Sequence, residues 1–134
     1  MRTITNKEFK TILASDKSFK GLDLTRASLQ YEKLNNSDFR GSRLAVSQLS
    51  RTNISFSNFS GSDLECIILI QSNCKGANFE GADLWCALFK SANCRGANFK
   101  CADLRGADFK GADLRGANFE GANMEGANFE GAKL

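Results

Sequence analysis

At 134 residues the chain has room for one ordinary domain. Its net charge is +3, but five of its 18 basic and two of its 15 acidic side chains lie in Met1 to Gly21, so the body from Leu22 onward is balanced at 13 of each. That balance gives neither the basic field that nucleic acid wants nor a strongly acidic one, and no apolar stretch approaches the roughly 20 residues of a membrane span.

The N-terminal segment, MRTITNKEFK, lacks the apolar core of a signal peptide. Thr5 and Glu8 stand at capping-box spacing, with Ile4 and Phe9 placed as the hydrophobic staple around them. Phe9, Ile12 and Leu13 follow as a short apolar face at helical spacing. The pattern predicts a helix over Asn6 to Ala14, inside a cap that spans residues 1–21.

From Leu24 the chain repeats every five residues. Leu24, Leu29, Leu34, Phe39, Leu44, Leu49, Ile54, Phe59, Leu64, Leu69 and Cys74 are followed by Phe79, Leu84, Phe89, Cys94, Phe99, Leu104, Phe109, Leu114, Phe119, Met124, Phe129 and Leu134. All 23 are apolar and the register never slips. Two residues before each centre the side chain is small: 13 Ala, six Ser and Thr52, with Leu22, Glu32 and Ile67 as exceptions. Asp or Asn usually precedes the centre, and Gly often stands two residues after it. Helices repeat near 3.6 residues and strands at 2. Two inward residues in five describe a short strand and a corner, repeated.

Units such as Ala107-Asp108-Phe109-Lys110-Gly111 and Ala112-Asp113-Leu114-Arg115-Gly116 resemble the pentapeptide-repeat family, whose motif reads A-(D/N)-L-x-x. The resemblance covers residues 22–134. It implies an all-β fold, a right-handed quadrilateral parallel β-helix with four units per coil, here five to six coils behind a short helical cap. Four faces require a hidden period of 20, and the columns have it. One reads Phe19, Phe39, Phe59, Phe79, Phe99, Phe119, and the opposite one Leu29, Leu49, Leu69, Phe89, Phe109, Phe129. The two columns between them contain no Phe. Stacked equal rings favour one rotamer in every coil and leave few voids.

Glu32 stands where the pattern demands a small inward residue, so the chain is expected to distort over Tyr31 to Asn36 or the cap to hold the carboxylate. At the other end the sequence stops at Leu134 in mid-unit. A two-fold homodimer through the C-terminal coils is expected, a pairing the family resemblance implies. Glu120, Glu125 and Glu130 make that coil acidic outside.

No catalytic constellation assembles. There is no His, the commonest general base and metal ligand. The Asp and Asn before each centre are read as corner hydrogen-bonding groups, and the glycines recur without the strand–helix context of a phosphate loop. No enzyme activity, cofactor or metal site is expected. The five Cys, an odd number without CxxC spacing, fit a reducing compartment, and a cytoplasmic protein is expected. Cys66 with Cys86 and Cys74 with Cys94 are stacked one coil apart, as small apolar fillers kept reduced.

Two outward features break the repeat. Trp85, Ile68, Ile70 and Leu88 fall at solvent-facing positions, with Val46, Cys66 and Cys86 stacked along the corner between them, a pattern that suits a protein interface. Lys75, Arg95 and Arg115 line one face and Lys90 and Lys110 the adjacent one, either as a solvated surface or as a seat for an acidic partner. The expected function is a non-enzymatic binding or scaffold module for an unidentified protein partner. The resemblance offers two alternatives. One is a DNA-mimicking modulator of DNA gyrase, disfavoured by the balanced charge. The other is part of a larger ubiquitin-ligase adaptor.

Overall fold

A computed structural model describes all 134 residues. From Ser18↔Asp38 to Asp113↔Lys133 every single-residue bridge is parallel and joins residues 20 apart. One coil is therefore four pentapeptides. The bridging residue is the one before each centre, and both its backbone groups bond to the preceding coil, while its two neighbours serve the next. Asn78, for example, donates its N–H to Ser57 O at 2.9 Å and accepts from Phe59 N at 2.7 Å.

Each corner follows from the same unit. The carbonyl of a centre accepts from the N–H three residues on, as Phe79 O does from Ala82 N at 3.0 Å. The residue two after the centre has positive φ, +64° at Gly81, the conformation that a type II turn asks of its third residue. The Asp or Asn before the centre locks the corner with its side chain: Asn78 Oδ1 accepts from Glu80 N at 3.0 Å, and Asp83 Oδ1 from Trp85 N at 3.1 Å. The role read from the sequence for these residues is the one they have. Where the inward small residue is Ser or Thr, its hydroxyl mostly finds a carbonyl three residues back, as Ser42 does on Phe39 O at 2.6 Å and Thr52 on Leu49 O at 2.7 Å, while Ser57 reaches Leu34 O in the coil before at 2.7 Å. Buried hydroxyls are thereby satisfied, with Ser37 Oγ the one buried side-chain atom left unpaired.

The centres form one continuous core of stacked columns. Phe39 and Phe59 stack at 4.6 Å between centroids, Phe59 and Phe79 at 5.3 Å, Phe79 and Phe99 at 5.1 Å. Across the coil Phe79 meets Phe89 edge-on at 5.7 Å and 87°. Phe79 is thus held by rings from above, below and the side, in the stacked and edge geometries aromatic pairs prefer.

The coils present four outward faces: face A carries Asp63, Asp83 and Asp103, face B Gln48, Ile68 and Leu88, face C Asn53, Asn73 and Asn93, face D Asn58, Asn78 and Asn98.

At the N-terminus, strand β1 (Arg2–Thr3) pairs in parallel with β2 (Leu22–Asp23). Between them helix α1 runs over Asn6–Leu13, with Ala14 as its C-cap, one residue short of the expected end. Thr5 and Glu8 complete both halves of the capping box, and Arg2 adds an ion pair to Glu8. Phe9 is buried and stacks on Phe19 at 4.8 Å, extending the phenylalanine column by one ring. No helix is long and apolar enough to cross a membrane.

The expected distortion around Glu32 is absent. Lys33 bridges Asn53, Leu34 is fully buried, and Asn53 N donates to Glu32 O at 3.0 Å. The reason is position: Glu32 lies in the first coil and is only half-buried, so its carboxylate keeps access to water.

Candidate functional site

Twelve non-glycine residues have positive φ. One, Lys17, follows α1. The other eleven occupy corners, where an L side chain costs about 1–2 kcal/mol. Their distribution is uneven. Arg26, Val46, Cys66 and Cys86 stack along the corner between faces A and B, and Tyr31, Arg51, Gln71 and Ser91 along the corner between faces B and C. Strain is tolerated on both margins of face B, while the same two corners are glycine at 106, 111, 126 and 131. Strain retained in a position where glycine would serve points to use of the side chain.

Face B is also where the apolar outliers meet. Ile68 and Leu88 bridge each other outward and are half-buried. Trp85 at 41% exposure and Val46 at 50% flank them, with Cys66 and Cys86 half-buried in the corner. Ile70, also half-buried, sits on the opposite margin. The residues singled out as an apolar patch are therefore contiguous. Trp85 lies in a shallow depression with Glu65, Asp83 and Arg105. Arg105 is turned onto its own neighbour, Nη2 donating to Asp103 Oδ2 at 2.6 Å. The carboxylates of Asp63, Glu65 and Asp83 approach within 4.8 Å of one another and give the patch an acidic rim.

Sequence reading missed Phe56. It is 59% exposed at φ +57° in the corner between faces C and D. Its ring lies across Gly76, where an added Cβ would come within 2.5 Å of it. The signal was present: beyond α1, Phe56 is the one phenylalanine outside the five-residue register of centres. Tyr31 was missed as a surface ring too. It is 70% exposed, with the Arg51 guanidinium 6.0 Å from its centroid.

The cations divide. Arg115 is tied to Asp113 at 2.6 Å, and that hydrogen bond, outweighing desolvation, pulls the Asp113 carboxyl down to about 2. Lys75, Lys90, Arg95 and Lys110 are exposed and enter no ion pair. All five cysteines are free thiols. Burial, with Cys86 and Glu65 nearby, pushes the Cys66 thiol up, and burial beside Cys74 raises Cys94 strongly, which keeps both protonated and poorly nucleophilic. In the last coil Phe119, Met124, Phe129 and Leu134 line one apolar depression.

The model of a family described as pentapeptide repeats matches in eight copies over residues 33–65, 47–85, 72–111 and 102–134. No curated protein matches the sequence. Among solved structures, the pentapeptide repeat protein Rfr23 from the cyanobacterium Cyanothece 51142 is 20% identical with a TM-score of 0.73, covering 97% of this chain and 99% of that one. HetL, a pentapeptide repeat protein involved in heterocyst differentiation regulation from Nostoc sp. strain PCC 7120, is 17% identical over 98% and 96%, with a TM-score of 0.33. Full-length QnrB1, a plasmid-mediated fluoroquinolone resistance protein, is 18% identical over 87% and 81%, also at 0.33.

Proposed function

This chain belongs to the pentapeptide-repeat family, and on that premise we propose that it is a non-enzymatic binding module that presents face B to a partner protein. The coils are taken as a right-handed quadrilateral, with α1 as the N-terminal cap, in a cytoplasmic protein. One observation carries the reading: side chains rather than glycine, Val46, Cys66 and Cys86 among them, are kept in the left-handed corners on both sides of a face that itself carries Ile68 and Leu88 outward.

The physics of interfaces supports it. Binding energy concentrates in a few large side chains packed at the centre of a contact, Trp foremost. Trp85 stands beside a flat sheet face whose backbone is fixed by hydrogen bonds to the coils on both sides, Cys66 N on Trp85 O at 2.9 Å among them. A partner therefore meets a preorganised surface and little ordering entropy is lost on this side. The acidic rim suits a partner with a cation beside its apolar contact.

A DNA-mimicking modulator of gyrase gains no support from the surface, because Lys75, Arg95, Lys90 and Lys110 interrupt the continuous acidity that mimicry of a duplex requires.

The test is a pull-down from the source cell with wild type and Trp85→Ala side by side. The expected result is a partner held by wild type and lost from the variant, with affinity down at least about thirtyfold, the scale of a Trp anchor of roughly 2 kcal/mol. Retention of every partner by the variant would remove face B as the binding surface.

A further inference from the structure

Face C carries a second surface of a different chemistry. Its outward residues in coils two to four are Asn53, Asn73 and Asn93, each bridging the next. In each the amide oxygen is already used. Asn53 Oδ1 accepts from Ser55 N at 3.0 Å, Asn73 Oδ1 from Lys75 N at 3.1 Å and Asn93 Oδ1 from Arg95 N at 3.2 Å. Only an oxygen can accept from a backbone N–H, so this bond fixes which end of each amide points away from the corner. It is the NH₂ group, and none of these three NH₂ groups donates to another protein atom. Face D differs, for there Asn98 Nδ2 donates to Asn78 Oδ1 at 3.2 Å.

Face C therefore shows solvent a row of unpaired NH₂ donors, while each amide oxygen is turned to its own corner. The row is bordered by charges of one sign. Lys75 and Arg95 follow it on one margin and Lys90 and Lys110 stand on the other, all exposed and all outside ion pairs. Between Ser50 and Arg115, face C and its two corners hold a single carboxylate, Asp113, which is bound to Arg115 at 2.6 Å. Donors and cations repeat at the coil spacing of about 4.8 Å. Nothing within the protein uses them.

We propose that face C binds an acidic, extended segment of a partner protein, its carboxylates laid along the Asn73–Asn93 donor row between the Lys75/Arg95 and Lys90/Lys110 margins. Carboxylates are acceptor-only groups and form the stronger, charge-assisted hydrogen bonds with such donors. A single nucleic-acid strand is the less fitting polyanion. It needs a succession of rings for its bases to stack on, and the exposed rings bordering the strip are Tyr31 and Phe56, both at its N-terminal end and none along Lys90, Arg95 and Lys110. The inference uses none of the apolar residues of face B, so the two readings can fail separately.

The experiment measures anisotropy of a fluorescein-labelled glutamate decapeptide, with labelled decathymidylate as the comparison polyanion. The informative variant is Asn73→Asp with Asn93→Asp. Aspartate makes the same corner bond at Asp83 and Asp103, so the fold is kept while each donor becomes a negative acceptor. The expected result is a peptide affinity at least about tenfold weaker, the scale of losing charge-assisted bonds to like-charge contacts, with an unchanged melting curve. Lys75→Gln with Arg95→Gln, both exposed, should weaken binding similarly, and Trp85→Ala should leave it unchanged. The proposal is overturned if wild type does not bind the peptide, if either double variant binds it as wild type does, or if decathymidylate binds as tightly as the peptide and responds to the same substitutions.

Discussion

Val46 has a β-branched side chain at φ +59°, the least tolerant residue class in the left-handed region. The next residues in its column are Cys66 and Cys86, then Gly106 and Gly126, so the fold itself shows what the corner prefers. Val46→Gly should relieve about 1 kcal/mol of backbone strain after allowing for the extra freedom glycine gives the unfolded chain. The expected outcome is a melting temperature raised by about 3–6 °C, read by circular dichroism. The same change removes an exposed apolar group from the margin of face B, so partner affinity should fall as stability rises. A corner held for structure alone would show the first effect without the second. Opposite signs of the two effects identify a residue kept against the preference of its backbone.

Columns of like side chains are the elements of this fold, and their energetics depend on how many sides of a ring are covered. Phe79 is fully buried, stacked on Phe59 and Phe99 and met edge-on by Phe89. Phe129 is half-buried, stacked on Phe109 at 5.3 Å and met by Phe119 at 6.0 Å. Phe79→Ala should cost about 3–5 kcal/mol, because a rigid stack cannot collapse into the cavity, whereas Phe129→Ala should cost about 1–2 kcal/mol, the transfer of partly covered surface. Denaturant unfolding of the two variants measures the difference, and equal losses would mean the columns do not bear the load. These columns were legible in the sequence because a single residue type recurs at a fixed interval. Helix α1 was legible because a capping box is a local pattern. Stacking of Phe9 on Phe19 was not, since it depends on how the helix docks. Nor was the undistorted path at Glu32, since the expectation assumed full burial for a residue that the first coil leaves half open. The left-handed corners were legible only as missing glycines. The donor row of face C was not legible at all, because which end of an asparagine is free depends on which end the corner consumes.

For the whole molecule the governing quantity is 20 residues, the separation of every bridge, and it makes an unusual demand on deletions. Removing residues 87–106 joins Cys86 to Ala107 and takes out one whole coil. Phe109 then occupies the place of Phe89 and Leu114 that of Cys94, so every following side chain stays in its own column. Removing only residues 102–106 preserves the five-residue register but rotates all that follows by one face. Phe109 falls beneath Leu84, Leu114 beneath Phe89, Phe119 beneath Cys94 and Met124 beneath Phe99. Rings then press into slots sized for Leu or Cys and leave voids where rings belonged. Overpacking and cavities each cost about 1–3 kcal/mol per site, and four sites are affected at once. In a solenoid, stability is close to a sum of coil and neighbour terms, so the longer deletion forfeits one coil's share while the shorter one mismatches all four faces of the junction it creates. The expected result is that the variant lacking 20 residues melts cooperatively with native-like circular dichroism, and that the variant lacking five melts at a lower temperature or not cooperatively. The reverse order would mean that the pentapeptide alone specifies the stack and that the faces, with the two surfaces assigned to them, are interchangeable.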